Sequence, residues 1–372
     1  MLELNLEKFW EADEIAHEEN CFTKKATQVA MGIRMSDECV FAELNEEGKP
    51  WGETERETRI SLNKRYNDLA EKIVGKRLLR EEFVPIDAQF PHIPQIGEIF
   101  GGVYEFHQDS LWLHSDIETP EQIEKQLDKI DRMDLEDFLI PKNWVQEKKR
   151  IFEKYGINSP LQRNVRGPVT LATSIIGVEN FIYLLYDEPE IAKRFSETIK
   201  KVLFAYIDIF DREAGFTEKN RPAGFNFFDD DSNLLTPEMY EAFGYPVLKA
   251  VFEKVSPNKN DRRYQHSDSA MGHLMPLLSK LDLNGVNFGP TISVTEIRKH
   301  LPNARIDGQL APFTFMRNNQ DDIIAEVKRD CEMAKIDDLR GVNITTAGSI
   351  NNGSSLMSMR AVMWAINKYG QY

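Results

Sequence analysis

The second half of the chain alternates short apolar runs with longer segments of helical periodicity. The apolar runs lie at Leu161–Val165, Ala223–Phe228, Arg263–His266, Gly285–Phe288, Arg305–Asp307 and Val342–Thr345. Apolar residues at helical spacing fill the segments Pro189–Glu213, Pro237–Val255, Ala270–Lys280, Val294–His300, Asp321–Ala334 and Ser354–Tyr369. Because strands that alternate with helices pair in parallel through right-handed crossovers, this pattern predicts an α/β fold.

The second half supplies six strand–helix units, and the N-terminal half could supply two more. This arithmetic favours a (β/α)8 TIM barrel over residues 81–372, with an open doubly wound sheet as the alternative. No Gly-x-Gly-x-x-Gly follows an early strand, so we expect no nucleotide cofactor. Residues 1–80 are predicted to be an N-terminal helical extension, and Phe83–Asp87 a short strand. Thr236 before Pro237 predicts a helix start.

Composition narrows the function classes. The chain has 372 residues, of which 41% are hydrophobic, so it can bury a large core. Its net charge of -15 argues against nucleic-acid and membrane partners, since like charges repel. The three cysteines form neither a disulfide framework nor a CxxC metal pair, and we see neither a signal peptide nor a long apolar run. We therefore expect a cytoplasmic protein with a small-molecule substrate; a homodimer is one expected assembly.

Polar residues recur where the predicted strands end. In a barrel, catalytic residues lie at the carboxyl ends of the strands, so these residues are candidates for one cavity. We assign catalysis to His266, Asp268 and Asp230. Substrate binding is assigned to Arg166, Asn226, Asn287, Asp307, Gln309 and Thr346.

Three consecutive acids, Asp229–Asp231, follow the apolar run Ala223–Phe228. Such crowding raises at least one pKa or recruits a cation. Asn226, Phe228 and Asp230 share one face of the strand, which makes Asp230 the candidate site acid. For Asp231 the alternative is an acid that simply favours the N-terminus of the next helix.

His266 and Asp268 are two residues apart at a strand end, so both could reach one ion or one proton. The alternative for His266 is a hydrogen-bonded core histidine. Arg166 could bind a substrate carboxylate through two hydrogen bonds, or it could form a salt bridge with one of the many acids.

Several of these residues lie in segments that resemble a known superfamily. Gly167–Ala172 resembles the GPxTLA turn of the uroporphyrinogen decarboxylase superfamily, and Leu235–Tyr240 resembles its L-x-SPE-x-Y segment. The His266 strand, Asp307–Pro312 and the glycine-bearing loop 346–353 follow in the same order. The resemblance covers roughly residues 85–370. It implies a (β/α)8 barrel with the active site at the mouth.

The chain departs from both branches of that superfamily. The haem-pathway decarboxylases carry an MRQAGR segment near their first strand, whereas the region Phe83–Gly97 has no arginine. The methyltransferases of corrinoid and coenzyme M metabolism bind zinc through His-x-Cys and a distant Cys. Here those positions read His266-Ser267-Asp268 and Gly348. His266, Asp268 and Asp230 would instead form an oxygen-rich site for Zn²⁺, Mn²⁺ or Mg²⁺.

Three functions are compatible with these residues. The first is a lyase that decarboxylates or cleaves a small polar acid, and is not the haem-pathway enzyme itself. The second is a metal-dependent methyl transferase, and the third is a non-catalytic barrel that binds a small molecule. We favour an enzyme, because a chain that had lost its chemistry would have less reason to keep so many polar residues at the strand ends.

Overall fold

The computed structural model describes residues 2–48, 54–107 and 110–372. The chain divides into two compact units. The first unit comprises residues 1–83, 266–279 and 283–372, and the second comprises residues 84–265 and 280–282.

Residues 2–48 and 54–83 of the first unit are mostly helical, as the apolar spacing predicts. The elements are α1 (Leu6–Ala16), α2 (Glu18–Cys21), β1 (Ala30–Met31), α3 (Val40–Leu44) and α4 (Arg56–Val74), with a 3₁₀ helix at Asp37–Cys39. The sequence did not indicate β1, whose two residues are too few to show a pattern. The boundary predicted at residue 80 stays a prediction.

The strand predicted at Phe83–Asp87 is wrong. Residues 83–85 have no regular structure, and a 3₁₀ helix covers Ile86–Ala88. Pro85 lacks the backbone N–H that a strand donates to its neighbour, so apolar composition alone could not make this segment a strand.

The second unit contains a hairpin, several helices and the strands that begin the predicted alternation. Its elements are α5 (Ile96–Ile99), β2 (Val103–His107), β3 (Ser110–His114), α6 (Pro120–Asp131), α7 (Leu135–Leu139), α8 (Trp144–Tyr155), β4 (Asn164–Arg166), α9 (Pro168–Ile176), α10 (Val178–Asp187), α11 (Pro189–Glu213), β5 (Phe225–Phe228) and α12 (Pro237–Val255). Strands β2 and β3 pair in antiparallel fashion, while β4 and β5 pair in parallel. Strand β6 (Arg263–Ser267) has its first three residues in this unit and its last two in the first unit.

The remainder of the first unit continues the alternation. Its elements are α13 (Met275–Leu278), β7 (Gly285–Phe288), α14 (Val294–His300), β8 (Arg305–Leu310), α15 (Pro312–Met316), α16 (Gln320–Ala334), β9 (Val342–Thr346) and α17 (Leu356–Tyr369). Within this unit the parallel strand order is β1-β9-β8-β7, so the first strand lies beside the last.

These parallel strands belong to a seven-stranded sheet in the described part of the chain, and helices alternate with them. The predicted α/β fold class is therefore confirmed. Helices α11 and α12 begin and end at the predicted residues. At the start of α12 the Thr236 side chain accepts a hydrogen bond from the Met239 N–H, as expected of an N-cap.

In the residues that the structure describes, no single helix is long and apolar enough to cross a membrane. The bent pair α9 and α10 meets that criterion together, by length and composition only.

Candidate functional site

Arg166 ends strand β4 in the second unit and is half-buried. Its Nη1 donates to Ser174 Oγ at 3.2 Å, and its positive charge acts on the Tyr104 hydroxyl. Burial raises the pKa of Tyr104, and the positive charge of Arg166 offsets only part of that rise. Arg166 forms no ion pair with any residue that the structure describes, so the salt bridge considered as its alternative role is not seen. A half-buried guanidinium with hydroxyl partners retains its attraction for an anion.

Asp229, which the sequence did not single out, is the buried member of the acidic loop. Its side chain is fully buried, and Oδ1 accepts the Thr170 N–H of α9 at 2.8 Å. Burial raises the pKa of Asp229 to about 7. A Cβ at residue 167 would lie 2.2 Å from the Asp229 Cβ, so Gly167 is required for this close approach.

Asp231 also binds α9. Its Oδ2 accepts from Thr173 Oγ1 at 2.5 Å, and its N–H donates to Thr170 Oγ1 at 3.0 Å. The carboxylate is thus fixed to the helix before the loop, whereas the alternative role placed it at the helix that follows. Asp230 is half-buried and begins a 3₁₀ helix, Asp230–Leu234. Its role as the site acid stays a prediction.

Asn226 alternates with buried Phe225 and Phe227, as the strand pattern predicts. Its amide donates to Asn164 Oδ1 and accepts from Arg262 Nε. Asn226 is the second residue of β5 and lies opposite the first residue of β4, so these partners hold it toward the amino ends of the strands. A substrate role for Asn226 stays a prediction.

His266 and Asp268 lie at the carboxyl end of β6. His266 is half-buried and Asp268 exposed, while the alternate residues Gln265 and Ser267 are fully buried. Because side chains of a strand alternate between its faces, His266 and Asp268 lie on the same face.

Gly348 in the loop after β9 packs against Asp268. A Cβ at residue 348 would lie 3.0 Å from the Asp268 Cβ and 3.2 Å from its Oδ2. Gly348 also has a φ of +125°, which a side chain would strain. Asp268 and Gly348 stand where the methyltransferases that the chain resembles have cysteine ligands. The two residues are therefore adjacent here, but neither offers a thiolate.

Asn287 and Asp307 hold the strands of the first unit together. Asn287 Nδ2 donates to the carbonyl oxygens of Asp307 and Thr346. The Asp307 carboxylate accepts two hydrogen bonds from Arg305, both at 2.8 Å, and one from Asn343. Strand β8 continues to Leu310, three residues beyond the predicted run, so Asp307 lies in its middle with its carboxylate bound to the residue that starts the strand.

Gln309 and Thr346 bind the loops at the carboxyl ends of the strands. Gln309 Nε2 donates to the carbonyl oxygens of Gly289 and Ile292, and Thr346 Oγ1 donates to that of Gly348. Their assigned role in substrate binding stays a prediction. Sequence pattern could not show the Gln309 contacts, because they join two separate segments of the chain.

The position of the first strand corrects one comparison made from the sequence. Strand β1 lies beside β9 in the sheet, so the first strand is Ala30–Met31 and not the region near Phe83. Arg34 follows it after two residues. The lack of arginine in Phe83–Gly97 therefore says nothing about the residues after the first strand.

His266 and Asp268 of the first unit each offer one ligand atom to a divalent metal, and the assignment of Asp230 as a further ligand stays a prediction. The donor set of one imidazole nitrogen and carboxylate oxygens suits Mn²⁺, Mg²⁺ or Zn²⁺. Gly348 contributes no side-chain ligand, so the residues do not fit a thiolate-rich zinc site.

Comparisons with known proteins agree with this architecture. The family model described as uroporphyrinogen decarboxylase matches residues 97–369. A methyltransferase from Methanosarcina mazei is similar in structure over 99% of both chains, with a TM-score of 0.58 and 16% identity, which is evidence for the fold alone. A B12-independent methionine synthase from Shewanella sp. W3-18-1 aligns over 92% of this chain and 95% of its own, with 10% identity. The TM-score of that alignment is 0.39.

No curated protein matches the sequence. The family match covers more than half of the chain and includes the segments Gly167–Ala172 and Leu235–Tyr240 that resemble the superfamily. The chain belongs to the uroporphyrinogen decarboxylase family.

Proposed function

We propose that this chain is an enzyme that decarboxylates a small substrate carrying more than one carboxylate. Arg166 binds a carboxylate that the substrate retains. His266 and Asp268 act at the carbon that loses its carboxylate. Asp230 is the third proposed catalytic group. Membership of the family supports an enzyme of this kind but does not by itself separate decarboxylation from methyl transfer.

The observation that carries this proposal is the environment of Arg166. The guanidinium is half-buried, donates a hydrogen bond to the hydroxyl group of Ser174 and acts through its positive charge on the Tyr104 hydroxyl. Hydroxyl oxygens leave its charge unneutralised, and a carboxylate is the planar anion that a guanidinium binds most specifically. A carboxylated substrate is therefore the ligand that best satisfies this residue.

Decarboxylation requires the transfer of one proton to the substrate. Decarboxylation breaks the bond to the carboxylate carbon, releases CO2 and leaves the electron pair on the neighbouring carbon, which then takes up a proton. His266 is the proposed donor because histidine is the side chain that most often serves as a general acid or base in enzymes. Asp268, on the same strand face, can stabilise the protonated imidazole.

Binding measurements test the role of Arg166. We expect calorimetry with a panel of small dicarboxylates to detect binding to the wild type. Arg166→Met should weaken it by about ten-fold or more, since a charge-assisted pair is lost. Arg166→Lys should recover part of the affinity, because it keeps the charge but not the paired N–H groups.

Arg194→Met is the matched control. Arg194 lies in the same unit but is already neutralised by Asp128 and Asp131, at 2.6 and 2.9 Å. Its replacement should leave dicarboxylate affinity unchanged. Equal binding by the wild type and Arg166→Met would refute the proposed role.

A metal-dependent methyl transferase is the second candidate. The packing of Gly348 against Asp268 favours it, because the positions that resemble the zinc ligands of the methyltransferases lie together in the first unit. His266, Asp268 and Asp230 would hold the ion, which would polarise a bound hydroxyl or carboxylate.

Metal analysis of the purified protein tests this second candidate. The wild type should contain one divalent ion per chain, and His266→Ala should contain none. His92→Ala is the control, since the His92 side chain is 76% exposed and lies 3.8 Å from Glu98. A metal-free wild type, or full metal content in His266→Ala, would rule out the proposed metal site.

A further inference from the structure

We propose that Gln309 and Thr346 are positioning residues that hold Asp268 in place, rather than groups that bind substrate. The inference rests on the proposed function, in which Asp268 acts at the reacting centre. Gln309 lies on β8 and Thr346 on β9, and both contact loops that support Asp268. All of them lie within the first unit.

Gln309 clamps the loop that follows β7. Its side chain is fully buried, and Nε2 donates to Gly289 O at 3.0 Å and to Ile292 O at 2.8 Å. One amide group thus satisfies two carbonyl oxygens of the same loop. Since a buried carbonyl left without a donor is costly, the amide determines where the loop lies.

The clamped loop in turn supports the backbone of Asp268. Gly289 N–H donates to Ser269 O at 3.0 Å. A Cβ at residue 289 would lie 2.7 Å from Ser269 O and 2.9 Å from Asp268 O, so the loop approaches as closely as glycine permits. A shift of the loop after β7 must therefore shift the backbone of Asp268 and Ser269.

Thr346 supports Asp268 from the loop after β9. Its Oγ1 donates to Gly348 O at 2.7 Å, and Gly348 packs on the Asp268 side chain. Asn287 links these two loops. It lies on β7, the strand that precedes the loop held by Gln309, and its Nδ2 donates to Thr346 O at 3.1 Å.

The Gln309 backbone is itself fixed by an ion pair on α16. Its N–H donates to Asp330 Oδ2 at 3.3 Å, and its carbonyl oxygen accepts from Arg329 Nη2 at 3.1 Å. Arg329 and Asp330 also pair with each other at 2.8 Å. Asp330 is fully buried, so the carboxylate that accepts from the Gln309 N–H is shielded from solvent.

Hydrogen exchange of three variants tests the inference. Gln309→Met and Thr346→Val keep side-chain volume but remove the donors to the loops. Each should speed the exchange of amides in residues 267–271 by about ten-fold, as expected when one buried hydrogen bond is lost. Thr346→Val also keeps the test valid if Gln309→Met fails to fold.

Asn67→Leu, the third variant, is the matched control. Asn67 is also a fully buried amide that clamps a loop, with Oδ1 accepting from the N–H groups of Leu78 and Leu79. Its replacement should speed exchange near residue 78 and leave residues 267–271 unchanged. Unchanged exchange at 267–271 in both Gln309→Met and Thr346→Val would overturn the inference.

Calorimetric titration with Mn²⁺ separates this inference from the proposed function. In a wild type that binds Mn²⁺, the affinity should fall about ten-fold in both positioning variants and stay constant in Asn67→Leu. Equal affinity in the positioning variants would contradict the inference. A wild type that binds no Mn²⁺ would count against the metal candidate, and the exchange result would then decide the inference by itself.

Discussion

His17, the residue that directly follows α1, has a charge that depends strongly on its neighbours. Its Nε2 lies 3.5 Å from Asp13 Oδ2 and 3.2 Å from Met31 O, and its Nδ1 lies 3.8 Å from Cys21 Sγ. The hydrogen bond with Asp13 and then that with Cys21 raise the pKa of His17 to about 10. The imidazole is therefore protonated in the folded protein over the neutral range.

This shift predicts a pH dependence of stability. Because the folded-state pKa is the higher one, the stabilisation is fully present below about pH 6.5 and is lost as the pH rises through about 10. Urea unfolding of the wild type and His17→Gln should therefore differ most at pH 6 and converge by pH 10. His92→Gln, an exposed histidine, should follow the wild type. A constant difference between wild type and His17→Gln across that range would contradict the prediction.

Sequence reasoning identified residue types at this scale better than it identified their partners. Their spacing of two residues at a predicted strand end indicated His266 and Asp268 as a pair, and β6 does end beside them, while their joint role stays a prediction. It could not show that Gln309 bonds a loop 17 and 20 residues earlier in the chain. Asp229 was missed because burial, which raises its pKa, depends on the packing of α9 above it.

At the scale of elements, helix α1 takes the place of a neighbouring strand beside Met31. Asp13 Oδ1 accepts the Met31 N–H at 2.7 Å, and His17 Nε2 contacts the Met31 carbonyl oxygen. Two side chains one helical turn apart thus satisfy both backbone groups of one strand residue. The N-terminal helices therefore contribute directly to the stability of β1.

Asp13→Ala should lower the free energy of unfolding by about 1–3 kcal/mol, because it leaves the buried Met31 N–H without its acceptor. Glu11→Ala is the control, since Glu11 is an exposed residue of the same helix and its loss should change stability little. Chemical denaturation of both variants is the measurement. Equal stability of Asp13→Ala and Glu11→Ala would mean that α1 does not support the strand.

Long periodic elements were predictable, and short ones were not. Helix α11 spans 25 residues and α12 spans 19, which gives the periodicity many repeats. Strand β1 has two residues, and its pairing with β9 depends on contacts more than 300 residues apart in the chain. The extension of β8 to Leu310 moved Asp307 from the predicted strand end to the middle of the strand.

At the scale of the whole molecule, the excess of acidic residues shapes what the protein can bind. With 46 basic and 61 acidic side chains, the surface repels polyanions at long range. A small carboxylate must therefore be recognised by a local positive group, and Arg166 is the proposed one.

This charge predicts no retention on heparin or on DNA at ordinary ionic strength. The measurement is elution from a heparin column in about 0.1 M salt, where electrostatic binding would still be detectable. Retention that disappears as salt is raised would contradict the prediction and reveal a basic surface that the net charge conceals.

Decarboxylation of a substrate that Arg166 binds and His266 protonates can be measured as the release of CO2. The experiment offers a panel of small dicarboxylic acids to the wild type, Arg166→Met, His266→Ala and Arg194→Met. We expect release from at least one acid by the wild type and by Arg194→Met, and a loss of about 100-fold or more in the other two variants. The proposed reaction would be contradicted by a wild type that releases no CO2 from any acid in the panel, or by release that survives both Arg166→Met and His266→Ala.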